Sequence, residues 1–167
     1  MAKQSPAARA VAAARAAGKK LSCAESCTGG LIAKKLTDVS GASAVFHGGV
    51  VSYVNAVKHV VLGVSGADLE KYGAVSEPGA RQMAAGARVL LHTDLAVSTT
   101  GVAGPDKDDR GNAVGTVYIA LADAEHTWCH LCHFDGTRTQ IRTAAADFAL
   151  NLIVRYLAGD DLQEGAL

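Results

Sequence analysis

The chain contains 167 residues, of which 49% are hydrophobic and 19% are charged, a composition typical of a single globular domain and not of a disordered segment. Its 16 basic and 16 acidic residues balance, so no net charge favours nucleic acid or an anionic membrane as a partner. No run approaches the roughly 18 apolar residues of a membrane span, and the alanine-rich start lacks the apolar segment of a signal peptide. We therefore expect a cytoplasmic protein whose four cysteines are reduced thiols.

The first half of the chain has the pattern of alternating helices and strands. Ser5 followed by Pro6 is typical of an N-cap and a first helical position, and Gly18 is typical of a helix end, so we predict a helix over residues 6–17. The other predicted elements are a buried strand over 21–24, a helix over 31–37, a strand over 45–55 and a short helix over 56–62. The strand, glycine turn and helix at 21–37 form a βα unit.

The second half continues this pattern. Ser76 and Pro78 predict the start of a helix that extends to about His92. The other predicted elements are strands over 94–99, 115–122 and 127–134 and a long amphipathic helix over 137–157. Together these elements predict an α/β fold, a three-layer α/β/α sandwich around a mixed sheet of about five strands. We predict one domain over residues 1–158 and a loose tail over 159–167.

A serine and a lysine fifteen positions apart are the first candidates for chemistry. Ser43 would act as a nucleophile only if a base removed its proton, and Lys58 would be that base if its apolar surroundings lowered its pKa from about 10.4 toward 7–8. Tyr53 would relay a proton or hold the amine. The alternative, which spacing alone favours, is that Ser43 caps a turn and Lys58 is a surface lysine.

The turn after the first predicted strand is a candidate anion site. Small residues between a strand and a helix leave backbone N–H groups free for a phosphate or an oxyanion, and the candidates are Ser26, Cys27, Thr28, Gly29 and Gly30. The segment lacks both the phosphate-loop lysine and the dinucleotide glycine pattern. Two alternatives remain open at this stage: an ordinary capped helix, and a Cys27 thiol whose pKa is lowered by the helix start.

Two later segments are candidates for substrate binding. A glycine loop follows the predicted strand over 94–99, and its backbone would approach a ligand closely at Thr100, Gly101, Val102, Ala103 and Gly104. Arg138 and Arg142 lie four apart at the start of the last helix and share one face of it. Cations in the first turn of a helix oppose its dipole, and a phosphate bound by the two arginines would offset that cost. A plain turn at the glycine loop and ordinary ion pairs of the arginines are equally compatible with the sequence.

The run Cys129-His130-Leu131-Cys132-His133 matches a haem-attachment pattern, but we interpret it as a coincidence. Such attachment belongs to exported proteins, and in a strand Cys129 and Cys132 face opposite sides. No second pair of ligands suggests zinc. We therefore predict no metal and no cofactor.

Seven segments in this order resemble the C-terminal domain family of the CinA proteins. The matching segments are Ala24–Gly30 (AESCTGG), Gly41–Phe46 (GASAVF), Gly49–Lys58, Gly73–Pro78 (GAVSEP), Thr100–Pro105 (TGVAGP), Val114–Val117 (VGTV), and Phe134–Arg138 with Arg142. They extend over nearly the whole chain, and it is their combination and order, more than any one motif, that carries the resemblance.

The resemblance implies an α/β/α fold with a mixed five-stranded sheet, and an amidohydrolase that converts nicotinamide mononucleotide into nicotinate mononucleotide and ammonia. It implies a serine–lysine mechanism with the nucleophile at Ser43, the base at Lys58 and Tyr53 nearby. The substrate phosphate would lie at Ser26–Gly30 or between Arg138 and Arg142. Larger CinA proteins carry a further N-terminal domain, whose chemistry does not transfer to this chain. We also expect a homodimer or higher homo-oligomer, although the sequence shows no interface.

One segment departs from the family pattern. After the Gly-Pro of the glycine loop, the family has a glycine-rich turn and a Lys-Pro, whereas this chain has the charged run 106–113. This difference motivates two alternatives to the amidase: a nucleotide-binding regulatory domain that has lost turnover, and an amidase of another small amide.

Overall fold

The computed structural model describes residues 4–163, 165 and 166. Its strands are β1 (Leu21–Glu25), β2 (Phe46–Val51), β3 (Leu95–Gly101), β4 (Thr116–Ala122), β5 (Thr127–His133) and β6 (Gly165–Ala166). Its α-helices are α1 (Pro6–Ala17), α2 (Leu31–Thr37), α3 (Asn55–Leu62), α4 (Gly66–Tyr72), α5 (Glu77–Leu90) and α6 (Arg138–Leu157), and one turn of 3₁₀-helix covers Ala42–Ala44.

The helix starts follow the capping signals in the sequence. The Ser5 side chain accepts a hydrogen bond from the N–H of Ala8 at 3.1 Å, with Pro6 as the first helical residue. Ser76 caps α5 in the same way, and Thr137 forms a reciprocal capping box with Gln140 at the start of α6. Each cap satisfies backbone N–H groups that a helix leaves without partners, which is why these boundaries are readable from the sequence.

The sheet is mixed, as predicted, with the strand order β2-β1-β3-β4-β5-β6. The strand β1 is parallel to β2 and β3, while β3, β4 and β5 are antiparallel neighbours. Five strands have five to seven residues, and the two-residue β6 pairs with β5 at the end of the chain.

Two local predictions differ from the structure, and one helix was not predicted. The strand predicted over 45–55 ends at Val51, and the chain turns through 52–54 before α3. The seven-residue helix α4 is too short to give a clear periodic pattern in the sequence. The tail over 159–167 was predicted to be loose, but Leu162 is buried and residues 165–166 pair with β5; residues 164 and 167 lie outside the described part of the chain.

The central strands present large residues to one helical layer and small residues to the other. In β4, Val117, Ile119 and Leu121 belong to the core formed with α1, α2 and α6, whereas Ala120 and Ala122 pack against α5. This alternation follows from the two-residue period of a strand. The alanines let the alanine-rich face of α5 approach the sheet closely, and the result is the predicted three-layer α/β/α sandwich.

The parallel part of the sheet brings three strand ends together. Because β2, β1 and β3 run in the same direction, their carboxyl ends meet at one edge, where open α/β sheets bind ligands. At this edge β1 leads into Ser26, β2 into Ser52 and Tyr53, and β3 into the glycine loop.

Candidate functional site

The side chain of Lys58 is fully buried, with 0% of its surface exposed. Its Nζ lies 2.9 Å from Ser26 Oγ, 2.5 Å from the carbonyl oxygen of Ser52 and 3.4 Å from that of Tyr53. The contacting residues come from the ends of β1 and β2, while Lys58 itself lies on α3. Among the described residues, no carboxylate forms an ion pair with this amine. A buried ammonium without such a partner is costly, and such groups concentrate at functional sites.

Burial lowers the pKa of Lys58 from 10.5 to about 8, because a desolvated ammonium is less stable than a neutral amine. The neutral amine has two hydrogens and one lone pair. The carbonyl oxygens of Ser52 and Tyr53 can accept the two hydrogens, which leaves the lone pair for the hydroxyl of Ser26. The arrangement is therefore that of a base poised beside a hydroxyl nucleophile.

Burial has the opposite effect on the neighbouring thiol. It raises the pKa of Cys27 to about 12, because the charged thiolate is the form that desolvation disfavours. Cys27 is therefore a neutral thiol at physiological pH, and the alternative of a thiol activated by a helix start is not supported.

A buried carboxylate holds the turn that carries Ser26. Glu25, the last residue of β1, is 1% exposed. Its side-chain oxygens accept hydrogen bonds from Thr28 Oγ1 at 2.7 Å and from the N–H groups of Ile32 and Ala33 at 2.8 and 3.1 Å. The Thr28 hydroxyl also contacts Thr99 Oγ1 at 2.7 Å, so the turn is fixed to both α2 and β3.

Arg142 supports the same turn from outside. Its Nε donates to the carbonyl oxygen of Cys27 at 3.0 Å, and an Nη donates to that of Thr28 at 2.8 Å. Arg142 does not line the cavity beside Lys58. Its two hydrogen bonds to the backbone indicate that it positions the turn, in place of the predicted role in a phosphate clamp with Arg138.

A cavity of about 270 Å³ opens beside the Ser26–Lys58 contact. Its lining residues are Ser26, Cys27, Tyr53, Lys58, Ala74, Val75, Thr100, Gly101, Val102, Ala103, Gly104, Asp106, Asp108 and Arg138. The predicted glycine loop and one of the two predicted arginines thus share this cavity with Lys58. Thr28, Gly29 and Gly30 do not line it, because the turn directs Ser26 and Cys27 toward it.

Arg138 and Tyr53 meet at this cavity. One Nη of Arg138 donates to the carbonyl oxygen of Gly104 at 2.6 Å, and the other donates to the Tyr53 hydroxyl at 3.2 Å. Tyr53 is 60% exposed, and its side chain is in contact with Arg138 while its backbone carbonyl faces Lys58. Of the two arginines predicted to bind a phosphate, only Arg138 lines this cavity, so its guanidinium is the one that a ligand there would contact.

The predicted pair of Ser43 and Lys58 is corrected by the structure. Ser43 lies in the 3₁₀ turn before β2 and lines a different cavity, of about 480 Å³, which shares no lining residue with the first. The six-residue strand β2 separates Ser43 from Ser52, and a strand of this length spans roughly 17–20 Å. Ser43 therefore cannot reach the amine that contacts Ser52.

Several residues of the site were not singled out in the sequence. Glu25 had a readable signal, since a carboxylate that ends an apolar strand must find partners or titrate. The others are Ser52, Ala74, Val75, Asp106 and Asp108. Ser52 contacts Lys58 through its backbone carbonyl oxygen, a group that every residue has, so the residue type does not indicate this role.

In the part of the chain that the structure describes, no group of three or more His, Cys, Asp or Glu residues is arranged to hold a metal ion. Among the same residues, no helix has the length and apolar character needed to cross a membrane. The four cysteines are buried free thiols.

Similar proteins of the CinA family are longer than this chain. CinA-like proteins from Syntrophomonas wolfei and Geobacter sulfurreducens are 51% and 50% identical to it over 140 and 143 residues. The matches cover 84% and 86% of this chain but 34% and 35% of those proteins. The chain therefore spans about a third of the length of these relatives.

Solved structures match nearly from end to end. A CinA superfamily protein from Klebsiella pneumoniae has a TM-score of 0.90 at 31% identity, covering 92% of this chain and 96% of that one. The competence/damage inducible protein CihA from Agrobacterium tumefaciens has a TM-score of 0.86 at 39% identity, covering 92% and 93%. The family model of the CinA C-terminal domain matches residues 3–157. This chain therefore belongs to the CinA C-terminal domain family.

Proposed function

We propose that this chain is an amidohydrolase with Ser26 as nucleophile and Lys58 as base, and that it converts nicotinamide mononucleotide into nicotinate mononucleotide and ammonia. The observation that carries the proposal is the 2.9 Å contact between Lys58 Nζ and Ser26 Oγ beside the cavity. Ser26 takes the nucleophilic role that the sequence pattern assigned to Ser43.

The contacts of Lys58 suggest how protons are transferred in the proposed reaction. Neutral Lys58 takes the proton of Ser26 as the hydroxyl oxygen attacks the carboxamide carbon. The resulting ammonium then gives that proton to the departing nitrogen, which leaves as ammonia. A water molecule, deprotonated by the same amine, attacks the acyl-enzyme, and Ser26 recovers its proton. A base with a pKa near the working pH suits both halves of this cycle.

The tetrahedral intermediate needs hydrogen-bond donors for its oxyanion. The backbone N–H of Cys27 donates to no other backbone group among the described residues, it belongs to a residue that lines the cavity, and it directly follows the nucleophile. The N–H after a nucleophilic serine has this role in other hydrolases. The fixed turn around Glu25 and Arg142 would hold this donor in place before the charge develops.

The choice of substrate rests on the family resemblance and on the charges of the cavity. Arg138 supplies a guanidinium for a phosphate group, since planar N–H donors match phosphate oxygens. The glycine loop at Gly101–Gly104 brings backbone against the same space. A nucleotide with a carboxamide at one end and a phosphate at the other uses both Ser26 and Arg138.

The test is purified protein with nicotinamide mononucleotide, with ammonia and nicotinate mononucleotide as the products measured. Ser26→Ala should lower kcat by at least roughly a thousandfold, whereas the matched Ser43→Ala should retain activity close to that of the unmodified protein. Loss of activity in Ser43→Ala with full activity in Ser26→Ala would contradict the assignment of the nucleophile.

The same assay separates the alternatives. Binding of the mononucleotide without ammonia release would favour a regulatory binding domain. Turnover of another amide in a substrate panel, with nicotinamide mononucleotide inert, would keep the Ser26–Lys58 mechanism and replace the substrate.

A further inference from the structure

The charged loop 106–113, which departs from the family pattern, contributes carboxylates to the cavity. Asp106 and Asp108 both line it, together with Arg138 and Lys58. No ion pair joins either carboxylate to Arg138 or Lys58 within the described residues. Above about pH 8, where the Lys58 amine is neutral, the lining carries one positive and two negative side chains.

The loop is held in place by its own hydrogen bonds. The carboxylate of Asp108 accepts from the N–H of Arg110 at 3.1 Å, and from the N–H and Nδ2 of Asn112, both at 2.7 Å. Partial burial raises the pKa of Asp108, but these hydrogen bonds outweigh it and lower the pKa below the ordinary value of 3.8. The Arg110 side chain donates to the carbonyl oxygens of Glu70 and Lys71 at the end of α4.

Asp106 differs from Asp108 in that its carboxylate accepts no hydrogen bond within the described residues. It is exposed both to the cavity and to solvent, so water and salt screen its repulsion of a ligand without removing it. Along the chain it lies between Gly104, whose carbonyl oxygen accepts a hydrogen bond from Arg138, and the hydrogen-bonded Asp108.

The geometry points to these two carboxylates as the elements that discriminate against the acid product of the reaction. Hydrolysis of any amide in this cavity replaces a neutral carboxamide with a carboxylate and thus adds one negative charge to the ligand. Like charges in a partly desolvated cavity repel. Asp106 and Asp108 therefore weaken binding of the product relative to the substrate and speed its release, while Arg138 binds the group common to both.

This inference rests on the proposed function, and it is tested by binding, without turnover. The dissociation constants of nicotinate mononucleotide and of nicotinamide mononucleotide are measured by calorimetry above the pKa of Lys58, at about pH 9, with Ser26→Ala as the common background so that the amide is not consumed. The variant is Asp106→Asn. The matched control is Asp109→Asn, which makes the same change of charge in the same loop at a residue that does not line the cavity.

We expect the product to bind more weakly than the substrate in the background protein. Asp106→Asn should reduce the ratio of the two dissociation constants roughly three- to tenfold, the size of a partly hydrated charge pair, and 0.5 M salt should shrink this effect. Asp109→Asn should leave the ratio unchanged.

The outcomes distinguish the two proposals. An unchanged ratio in Asp106→Asn, or an equal change in Asp109→Asn, overturns the discrimination while leaving the amidase untouched. If neither mononucleotide binds the background protein at millimolar concentration, the proposed substrate and this inference both fail.

Discussion

The pKa of Lys58 has a consequence for stability that can be measured without any substrate. The folded protein binds the Lys58 proton less tightly than the unfolded chain, because burial lowers the pKa from 10.5 to about 8. At 1.36 kcal/mol per pKa unit, the 2.5-unit difference corresponds to a destabilisation of about 3 kcal/mol. The cost is fully present below pH 8 and disappears above pH 10.5, so the contribution of Lys58 to stability rises with pH through that window.

The perturbation is Lys58→Met, which keeps an unbranched side chain, one atom shorter than that of lysine, and removes the charge. At pH 7 the variant gains about 3 kcal/mol from the missing ammonium, but it leaves the Ser26 hydroxyl and the Ser52 carbonyl without a donor, at roughly 1–3 kcal/mol. The absolute difference at one pH is therefore small. The informative quantity is its change with pH, since all other titrating groups are common to both proteins.

The assay is urea unfolding of both proteins at several values between pH 7 and 10.5. The free energy of unfolding of the unmodified protein should rise relative to that of the variant by about 3 kcal/mol over this range. Lys107→Met, at an exposed position in the charged loop, is the control and should show no such trend. A flat difference for Lys58→Met would mean that the pKa is not lowered, and Lys58 would then be excluded as the base.

Three further predictions concern the site and the packing around it. The value of kcat/KM should rise with pH to a plateau above about 8, because only neutral Lys58 accepts the nucleophile's proton; a rate that falls over this range would contradict the mechanism. Gly86→Ala should destabilise the protein by roughly 1–3 kcal/mol in thermal unfolding, since a Cβ there would lie 2.0 Å from the Leu62 carbonyl oxygen, whereas Gly66→Ala, with nothing closer than 3.8 Å, should not. Cys27 should react with iodoacetamide at pH 8 far more slowly in the folded protein than in urea, because burial raises its pKa to about 12.

The sequence predicted the fold well because its signals are local. The caps at Ser5, Ser76 and Thr137 each act on N–H groups within three residues, and alternation along a strand is likewise a short-range pattern. The helix α4 was missed since seven residues carry too little periodicity.

The site was predicted less well, because its central contact joins distant parts of the chain. Ser26 and Lys58 are 32 positions apart and meet through the pairing of β1 with β2. Ser43 was predicted as the nucleophile from the family resemblance, although its spacing from Lys58 alone favoured a turn cap. The strand β2 between the two residues carries them to opposite ends of that strand. Strand length was available in the sequence and would have excluded that pair.

The pairing of β1 with β2 is the feature that sets the distance between nucleophile and base. Its register continues beyond the strands, where the N–H of Ser52 donates to the Glu25 carbonyl at 2.8 Å. Gly49 permits this close approach, since a Cβ there would lie 2.5 Å from Cys23 Sγ. Because the Ser52 carbonyl also contacts Lys58, one stretch of backbone fixes both the nucleophile's strand and the amine. A slip of one residue turns every side chain of a strand to the other face of the sheet and would displace the Ser52 carbonyl from Lys58, so the register of these two strands sets the contact between Ser26 and Lys58.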